Sequence, residues 1–285
     1  MGKKKQELVA KSNRLIEASY RLSLVEQQIV LYAVCRCREE EKGLSADEPI
    51  TIRAADFAAA FGGDPGGNVY GQLKAAMETL FERQATIHDT DPETGKPRVT
   101  KTRWISTASY VDGAGHIQLI FAPKVIPYIT RLPLTGEHTS YRLEKIGRMS
   151  SAHAVRIYEL LVQYSKTGKR SIDVAWLKQT LGVENEYQRI VDFKKWVIDP
   201  AVKQINEVSD LIVSYEQRKC GRTISNFDFT INAKPEKPDV PNKPRKPKAT
   251  VVNKDFIEKN ARPGETYDQA YRRLLEEHGQ QRLDA

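Results

Sequence analysis

The most informative pattern of apolar and polar positions lies between Ile172 and Ser209. Its first part has the spacing of a short helix, with Asp173 placed to cap the N-terminus and Gly182 placed to end it. Its second part repeats apolar residues every three or four positions, which predicts a longer helix. This apolar row consists of Phe193, Val197, Ala201, Ile205 and Val208. Three lysines fall outside it: Lys194, Lys195 and Lys203. A short helix, a turn and a longer basic helix form the helix-turn-helix pattern, whose second helix can enter a DNA major groove.

The same pattern occurs earlier in the chain. The apolar and glycine positions of the short helix pattern that starts at Ile172 recur 120 positions earlier in the chain. The earlier residues are Ile52, Ala55, Phe57, Phe61 and Gly62. Five more precede Ile198, Ala201, Val202, Ile205 and Ile212 by 125 positions: Leu73, Ala76, Met77, Leu80 and Ile87. A further predicted helix precedes each copy. It begins at Arg21-Leu22-Ser23 before the first copy and at Arg148-Met149-Ser150 before the second. An internal repeat in this order predicts two copies of one supersecondary unit.

Each predicted helix pair is followed by strand patterns that complete a winged helix. In the first copy, strands at 84–89 and 98–106 form a predicted hairpin, the wing, followed by a strand at 116–121. In the second copy the strands lie at 211–218 and 223–232. The predicted fold class is therefore α+β, with two winged-helix domains in tandem.

The domain limits follow from this pattern and from a change of composition after Ala233. We predict a basic arm (1–7), a first winged-helix domain (8–132), a second (133–232), a Pro/Lys-rich linker (233–250) and a helical tail (251–285). The first domain ends in a short helix at 123–131, and 132–144 is a connector. Pro200 should kink the long helix of the second domain. The tail helix begins after Thr266 and stops at Gly279, and either docks on its own domain or binds a partner.

Composition narrows the class of partner. The formal net charge of +8 favours a polyanion. Three cysteines are too few for a disulfide framework and indicate a reducing compartment; Cys35 and Cys37 fit a helix core better than a metal site. The chain has no run of about 18 apolar residues. The glycine-rich loop at 62–67 lacks the following Gly-Lys-Ser/Thr of a phosphate-binding loop. We therefore expect a cytoplasmic protein with no cofactor, no metal and no membrane partner.

Four stretches of the chain resemble the replication initiators of iteron-bearing bacterial plasmids, the RepE-like family. They are 11–33 (KSNRLIEASYRLSLVEQQIVLYA), 141–161, 192–206 and 221–231. The resemblance spans about 8–232 and implies two tandem winged-helix domains. It also implies that monomers bind directly repeated origin sites, help to melt adjacent A·T-rich DNA and recruit the host initiator, the replicative helicase and chaperones. Homodimers joined through the first domain would repress their own promoter at an inverted-repeat operator.

Double-stranded DNA is therefore the expected partner, with the second domain as the main reader. Predicted base-reading residues are Gln188, Arg189, Lys194 and Lys195 in the second domain, and Asn68, Gln72 and Lys74 in the first. Predicted phosphate-binding residues are Lys96, Arg98, Lys101 and Arg103 on the first wing, and Arg218, Lys219 and Arg222 on the second. The alternative for the first wing is an edge strand guarded by charge. We expect five residues to lie in the core: Leu177, Leu181, Phe193, Trp196 and Val197.

Two other functions remain open at this point. A transcriptional repressor could use the same fold, and it would bind inverted rather than direct repeats. A strand-transfer enzyme similar to tyrosine recombinases is suggested by the pair His153 and Arg156, with Tyr187 downstream. That chemistry needs a further arginine and a positioned tyrosine around one phosphate, and we therefore predict no catalytic residue.

Overall fold

The computed structural model describes residues 7–43, 45, 47–62, 68–91, 93–111, 113–130, 132, 137–235, 262 and 264–277. Two compact units, 1–234 and 235–285, divide the chain. The helices of the first unit are α1 (Asn13–Ile16), α2 (Leu24–Glu40), α3 (Ala54–Phe61), α4 (Val69–Glu82), α5 (Pro127–Thr130), α6 (Ala152–Val162), α7 (Val174–Thr180) and α8, which comprises Ile190–Phe193, Lys194–Ile198 and Asp199–Val208. Its strands are β1 (Leu8–Ser12), β2 (Ile50–Arg53), β3 (Gln84–Thr90), β4 (Pro97–Arg103), β5 (Ile105–Tyr110), β6 (His116–Phe121), β7 (His138–Arg142), β8 (Lys169–Asp173), β9 (Leu211–Cys220) and β10 (Thr223–Ala233).

The first winged helix consists of α2, β2, α3, α4, β5 and β6, with the antiparallel strands in the order β2-β6-β5. Helix α2 begins where the capping box predicts. The Ser23 hydroxyl accepts from the Glu26 N–H at 3.3 Å, and the Glu26 carboxylate accepts from the Ser23 N–H at 2.6 Å. Cys35 and Cys37 on this helix are buried free thiols in the core, as predicted.

The second winged helix repeats this arrangement with α6, β8, α7, α8, β9 and β10, in the strand order β8-β10-β9. The Asp173 side chain caps α7 by accepting from the Trp176 N–H at 2.8 Å. Gly62 and Gly182 end α3 and α7 at corresponding places with φ of +73° and +67°. The internal repeat is therefore confirmed as a repeat of structure, although Ser151, not Ser150, caps α6.

The prediction of a single strand at 98–106 is wrong, because Trp104 separates this segment into two strands, β4 and β5. Strand β4 pairs with β3 in a separate two-stranded sheet, whereas β5 pairs with β6. The side chain of Trp104 is fully buried, so the chain turns inward at this point. The hairpin that corresponds to β9–β10 is thus β5–β6, and β3–β4 is an added element. For the same reason the match of Ile87 to Ile212 is wrong: Ile87 is buried on β3, and Ile212 is 46% exposed on β9.

The predicted connector at 132–144 contains strand β7, which pairs antiparallel with β1 from Leu8 opposite Arg142 to Ser12 opposite His138. Such a pairing joins segments far apart in sequence, and no local pattern predicts it. The helix predicted at 123–131 is shorter than expected and forms only over Pro127–Thr130.

Pro200 lies inside α8, which continues through it as one helix. A π-helical turn at Lys194–Ile198 precedes the proline, and the Asp199 N–H donates to the Lys194 carbonyl five residues back. Because proline has no N–H, it cannot donate to the carbonyl one turn before it. The change of register just ahead of Pro200 accommodates this missing donor.

A buried polar cluster joins α6 to the lead-in segment of the first winged helix. Arg156 is 2% exposed, and one of its guanidinium nitrogens lies 3.3 Å from the Glu159 carboxylate. The same nitrogen bonds the Tyr20 hydroxyl, and the other donates to the Ala18 carbonyl at 3.0 Å. Glu159 also forms an ion pair with Lys11, which is equally buried. Although burial alone would raise it, the pKa of Glu159 is lowered by Lys11 and Arg156.

The second unit contains helix α9 (Tyr267–Glu277), where the tail helix was predicted. The Ala270 N–H donates to the Thr266 carbonyl at 2.9 Å in its first turn. The basic arm, most of the linker and the predicted stop at Gly279 lie outside the described residues. Within the described part of the chain, no helix has the length and apolar character needed to cross a membrane. No group of three potential metal ligands occurs among these residues either.

Candidate nucleic-acid interface

Helix α8 packs one row of side chains inward and leaves the opposite face open. Phe193, Val197, Ala201 and Ile205 are buried along the inner row. Of the predicted base-reading residues, Arg189 is the N-cap of α8 and is exposed, with its Nε 3.8 Å from the Asp192 carboxylate. Lys195, six residues further along the chain, is also exposed. The structure therefore places both of these cations on the outer side of the second helix of the pair.

The other two predicted base-reading residues of this domain are held by internal contacts. Gln188 lies in the loop before α8, and its amide donates to the Asn185 carbonyl at 3.3 Å. Lys194 is half-buried, and its ammonium donates to the Gln217 side chain at 3.1 Å. Lys194 therefore ties α8 to strand β9.

Trp196 was predicted to lie in the core, and this prediction is wrong. Its side chain is 60% exposed on α8, and the Lys195 Nζ lies 4.8 Å from its ring centroid. The inner face is already filled by the row at 193, 197, 201 and 205, and Trp196 falls between two members of that row. Its position relative to the row, rather than its residue type, was the signal that could have identified it. Val191 on the same helix is also open, at 58% exposure.

The corresponding helix of the first domain, α4, presents different chemistry. Asn68 caps this helix by accepting from the Gly71 N–H at 3.1 Å, so its side-chain oxygen is already engaged. The Lys74 ammonium lies 4.4 Å from the Tyr110 ring centroid, whereas Gln72 is exposed. Two carboxylates, Glu78 and Glu82, are exposed on this helix. Helix α8 also exposes two carboxylates, Asp199 and Glu207, so the two helices differ mainly in their cations: Lys195 and Lys203 are exposed on α8, whereas Lys74 on α4 is half-buried.

On the β3–β4 hairpin the predicted phosphate-binding residues divide into two kinds. Arg98 is held by Asp89 through two bonds of 2.9 and 2.7 Å, and these hydrogen bonds lower the pKa of Asp89. Arg103 is held by Glu82 at 3.1 Å. Lys96 and Lys101 are exposed. The lysines are therefore better placed than the arginines to meet a phosphate.

The β9–β10 wing of the second domain divides in the same way. Arg218 lies 3.2 Å from the Asp228 carboxylate and donates to the Ser171 hydroxyl at 2.6 Å. Lys219 and Arg222 are exposed on either side of the turn, where Gly221 has a φ of +63°. The tip of this wing thus projects two cations.

The three residues that suggested strand-transfer chemistry do not form an open site. Arg156 is buried in the polar cluster described above, where its partners are Glu159, Tyr20 and two backbone carbonyls. Burial, and secondarily the charge of Arg21, lowers the pKa of His153. Tyr187 packs against Phe193, with ring centroids 6.0 Å apart. An arginine engaged in this way is not available to hold a scissile phosphate.

Two helix-turn-helix units, each followed by a β-hairpin wing and one with exposed cations on its second helix, define a tandem winged-helix protein of the DNA-binding class. Family models match almost all of this region. Residues 8–162 match the model described as initiator replication protein, WH1, and residues 173–231 match the model described as initiator Rep protein, WH2. The chain belongs to this family of replication initiator proteins.

Individual relatives agree with this assignment. A replication initiation protein of Escherichia coli is 24% identical over 230 residues, which cover 79% of this chain and 69% of the relative. An uncharacterized 27.6 kDa protein of Escherichia coli is 26% identical over 223 residues, covering 75% of this chain and 91% of that one. Among solved structures, the Pi initiator in complex with iteron DNA covers 82% of this chain and all of its own, with a TM-score of 0.61 and 21% identity. This structural likeness establishes a shared fold.

Proposed function

We propose that this protein is a plasmid replication initiator that binds directly repeated duplex sites at an origin and acts there without catalysing a reaction. The observation that carries the proposal is the open outer face of α8, with Arg189 and Lys195, inside the region that matches the WH2 initiator domain. The Pi initiator, which shares the fold, was solved with iteron DNA. The burial of Arg156 supports a binding role rather than strand transfer.

Within this proposal the second domain is the main reader. Arg189 and Lys195 can pair with guanine O6 and N7 in the major groove, and Lys219 and Arg222 at the wing tip hold phosphates. Gln72 on α4 and the exposed lysines of β3–β4, Lys96 and Lys101, contribute secondary contacts. Gln188, Lys194, Asn68, Lys74, Arg98, Arg103 and Arg218 reach DNA only if their present contacts rearrange.

The family resemblance extends the proposal to partners. A homodimer formed through the first domain represses the promoter, and DNA-bound monomers recruit the host initiator, the replicative helicase and chaperones. Sedimentation of the free protein over a range of concentrations, compared with the protein bound to one site, tests the monomer–dimer part.

Selection of binding sites from random duplexes, repeated at two salt concentrations, tests the central claim. We expect one asymmetric site of about two helical turns, because two domains reading successive major grooves cover that length. With about 6–10 phosphate contacts, affinity should fall by roughly 10³–10⁵ between 50 and 200 mM salt. A palindromic site would instead favour a repressor, and binding without sequence preference would refute both functions.

Substitutions at the wing tip sharpen this test. Lys219→Ala should weaken binding to all sequences equally and reduce the slope of log affinity against log salt by about 1, as expected for one phosphate contact. Lys166→Ala removes an exposed lysine outside the proposed interface and should leave the slope unchanged. Equal slopes for both variants would exclude Lys219 from the phosphate contacts.

A further inference from the structure

The outer face of α8 exposes two apolar side chains and one basic side chain, Val191, Trp196 and Lys195, which together are called here the Trp196 surface. Val191 precedes Lys195 by four residues, about one helical turn. The Lys195 ammonium in turn lies 4.8 Å from the Trp196 ring centroid. Val191 and Trp196 are 58% and 60% exposed. Single exposed apolar side chains are common, but a tryptophan and a valine around one cation on a recognition helix make a surface of mixed character.

The backbone beneath this surface is also unusual. Trp196 is the central residue of the π-helical turn at Lys194–Ile198. A π turn adds one residue to a helical turn, which changes the direction of the side chains it carries, and such turns are frequent at functional sites. The π turn is tolerated because Pro200 has no backbone N–H and therefore has no α-helical hydrogen bond to lose. Trp196 is thus exposed at the point where the helical register changes.

Within the described residues of α4, Trp196 has no counterpart. At the offset of 125 that aligns the two helices, Gly71 of α4 occupies the place of Trp196. A Cβ atom on Gly71 would lie 2.4 Å from the Asn68 side-chain oxygen that caps α4. A side chain at position 71 would therefore displace the Asn68 cap, and α4 presents no side chain where α8 presents Trp196.

The chemistry of the Trp196 surface matches one feature of the major groove. The C5-methyl group of thymine is the main apolar group that the bases present there, and apolar side chains contact it. Lys195 supplies a charge that attracts the duplex. We infer that the Trp196 surface reads thymine methyl groups in the half-site bound by α8. This inference rests on the proposed function, and it names the bases that the second domain distinguishes.

Replacing thymine by deoxyuridine in the selected site tests this inference, since the exchange removes only the methyl group. Dissociation constants are measured by fluorescence anisotropy at one salt concentration, with every thymine exchanged first and single positions afterwards. Burial of one methyl group is worth about 0.8 kcal/mol, so each contacted methyl should contribute about a fourfold loss of affinity. A protein that binds the thymine and deoxyuridine duplexes equally well would overturn the inference while leaving the proposed function intact.

Protein variants assign the effect to the surface. In Trp196→Ala the loss caused by deoxyuridine should disappear, whereas Trp196→Phe should retain part of it. Ile212→Ala removes an exposed apolar side chain of β9 and should keep the full effect. Because Trp196 is largely exposed, its replacement should leave the midpoint of unfolding unchanged. If Trp196→Ala still discriminates thymine from deoxyuridine as the parent protein does, the inference is refuted. Absence of any sequence-specific binding in the parent protein would refute the proposed function itself.

Discussion

Replacement of Glu159 by glutamine should strongly destabilise the protein, although the two side chains have nearly the same shape. Glu159 is buried and is the carboxylate that faces both Lys11 and Arg156. The substitution leaves two buried cations beside a neutral amide. Removing one partner of a buried ion pair costs about 3–5 kcal/mol, a large part of the roughly 5–15 kcal/mol that separates a folded domain from its unfolded chain.

Urea denaturation followed by tryptophan fluorescence and circular dichroism measures this loss. Glu144→Gln provides the matched control, because Glu144 is 65% exposed and lies 3.6 Å from Arg142 in a surface pair. Such a pair contributes about 0–1 kcal/mol. Lys11→Met combined with Glu159→Gln should cost less than the sum of the single changes, because one of the uncompensated cations is then absent. A loss below about 1 kcal/mol for Glu159→Gln would refute the expectation that the ion pairs between α6 and the lead-in segment stabilise the fold.

Three further predictions concern single positions. Ser23→Ala removes one half of the capping box on α2 and should lower the free energy of unfolding, measured by urea denaturation, by about 1 kcal/mol. An unchanged free energy of unfolding would show that the cap is dispensable. Gly182→Ala should destabilise more than Gly62→Ala. Both residues have a left-handed φ, which costs about 1–2 kcal/mol for alanine, but only at Gly182 would the new Cβ lie 2.8 Å from the Arg21 Cβ. Equal midpoints for the two variants would contradict this. Because burial lowers the pKa of His153 in the folded state, stability should decrease as pH falls from the usual imidazole pKa through the folded value. His153→Gln should lose this part of the pH dependence in denaturation series, and an unchanged pH profile would exclude His153 as its source.

Local sequence signals predicted a large part of this fold. The Ser23 capping box, the Asp173 cap and the glycines at 62 and 182 each act within one turn of chain, so the residues themselves carry the information. The repeated order of these signals was sufficient to predict two winged helices. The outer position of Arg189 and Lys195 followed from the same helical periodicity.

The features that sequence did not predict depend on contacts between distant segments. Strand β7 forms because β1 lies beside it, and the strand predicted at 98–106 is divided because Trp104 enters the core. The same is true of the ion pairs that engage the basic side chains. Arg98, Arg103 and Arg218 all lie on strands, and each is paired with a carboxylate that the fold brings close. A basic residue type therefore predicted an exposed position without predicting which side chains are engaged by a carboxylate.

The two recognition helices show how one unit, used twice, can acquire two roles. Both helices bury apolar residues at three corresponding positions: Leu73, Ala76 and Leu80 in α4, and Ile198, Ala201 and Ile205 in α8. Their outer faces differ in the side chains that they present, since α8 exposes Lys195, Trp196 and Lys203, whereas the lysine of α4, Lys74, is half-buried. Because these shared positions face the core, the exposed residues of the two helices can differ while the packing is kept. We therefore expect a duplex that meets both helices to gain more base contacts from α8 than from α4.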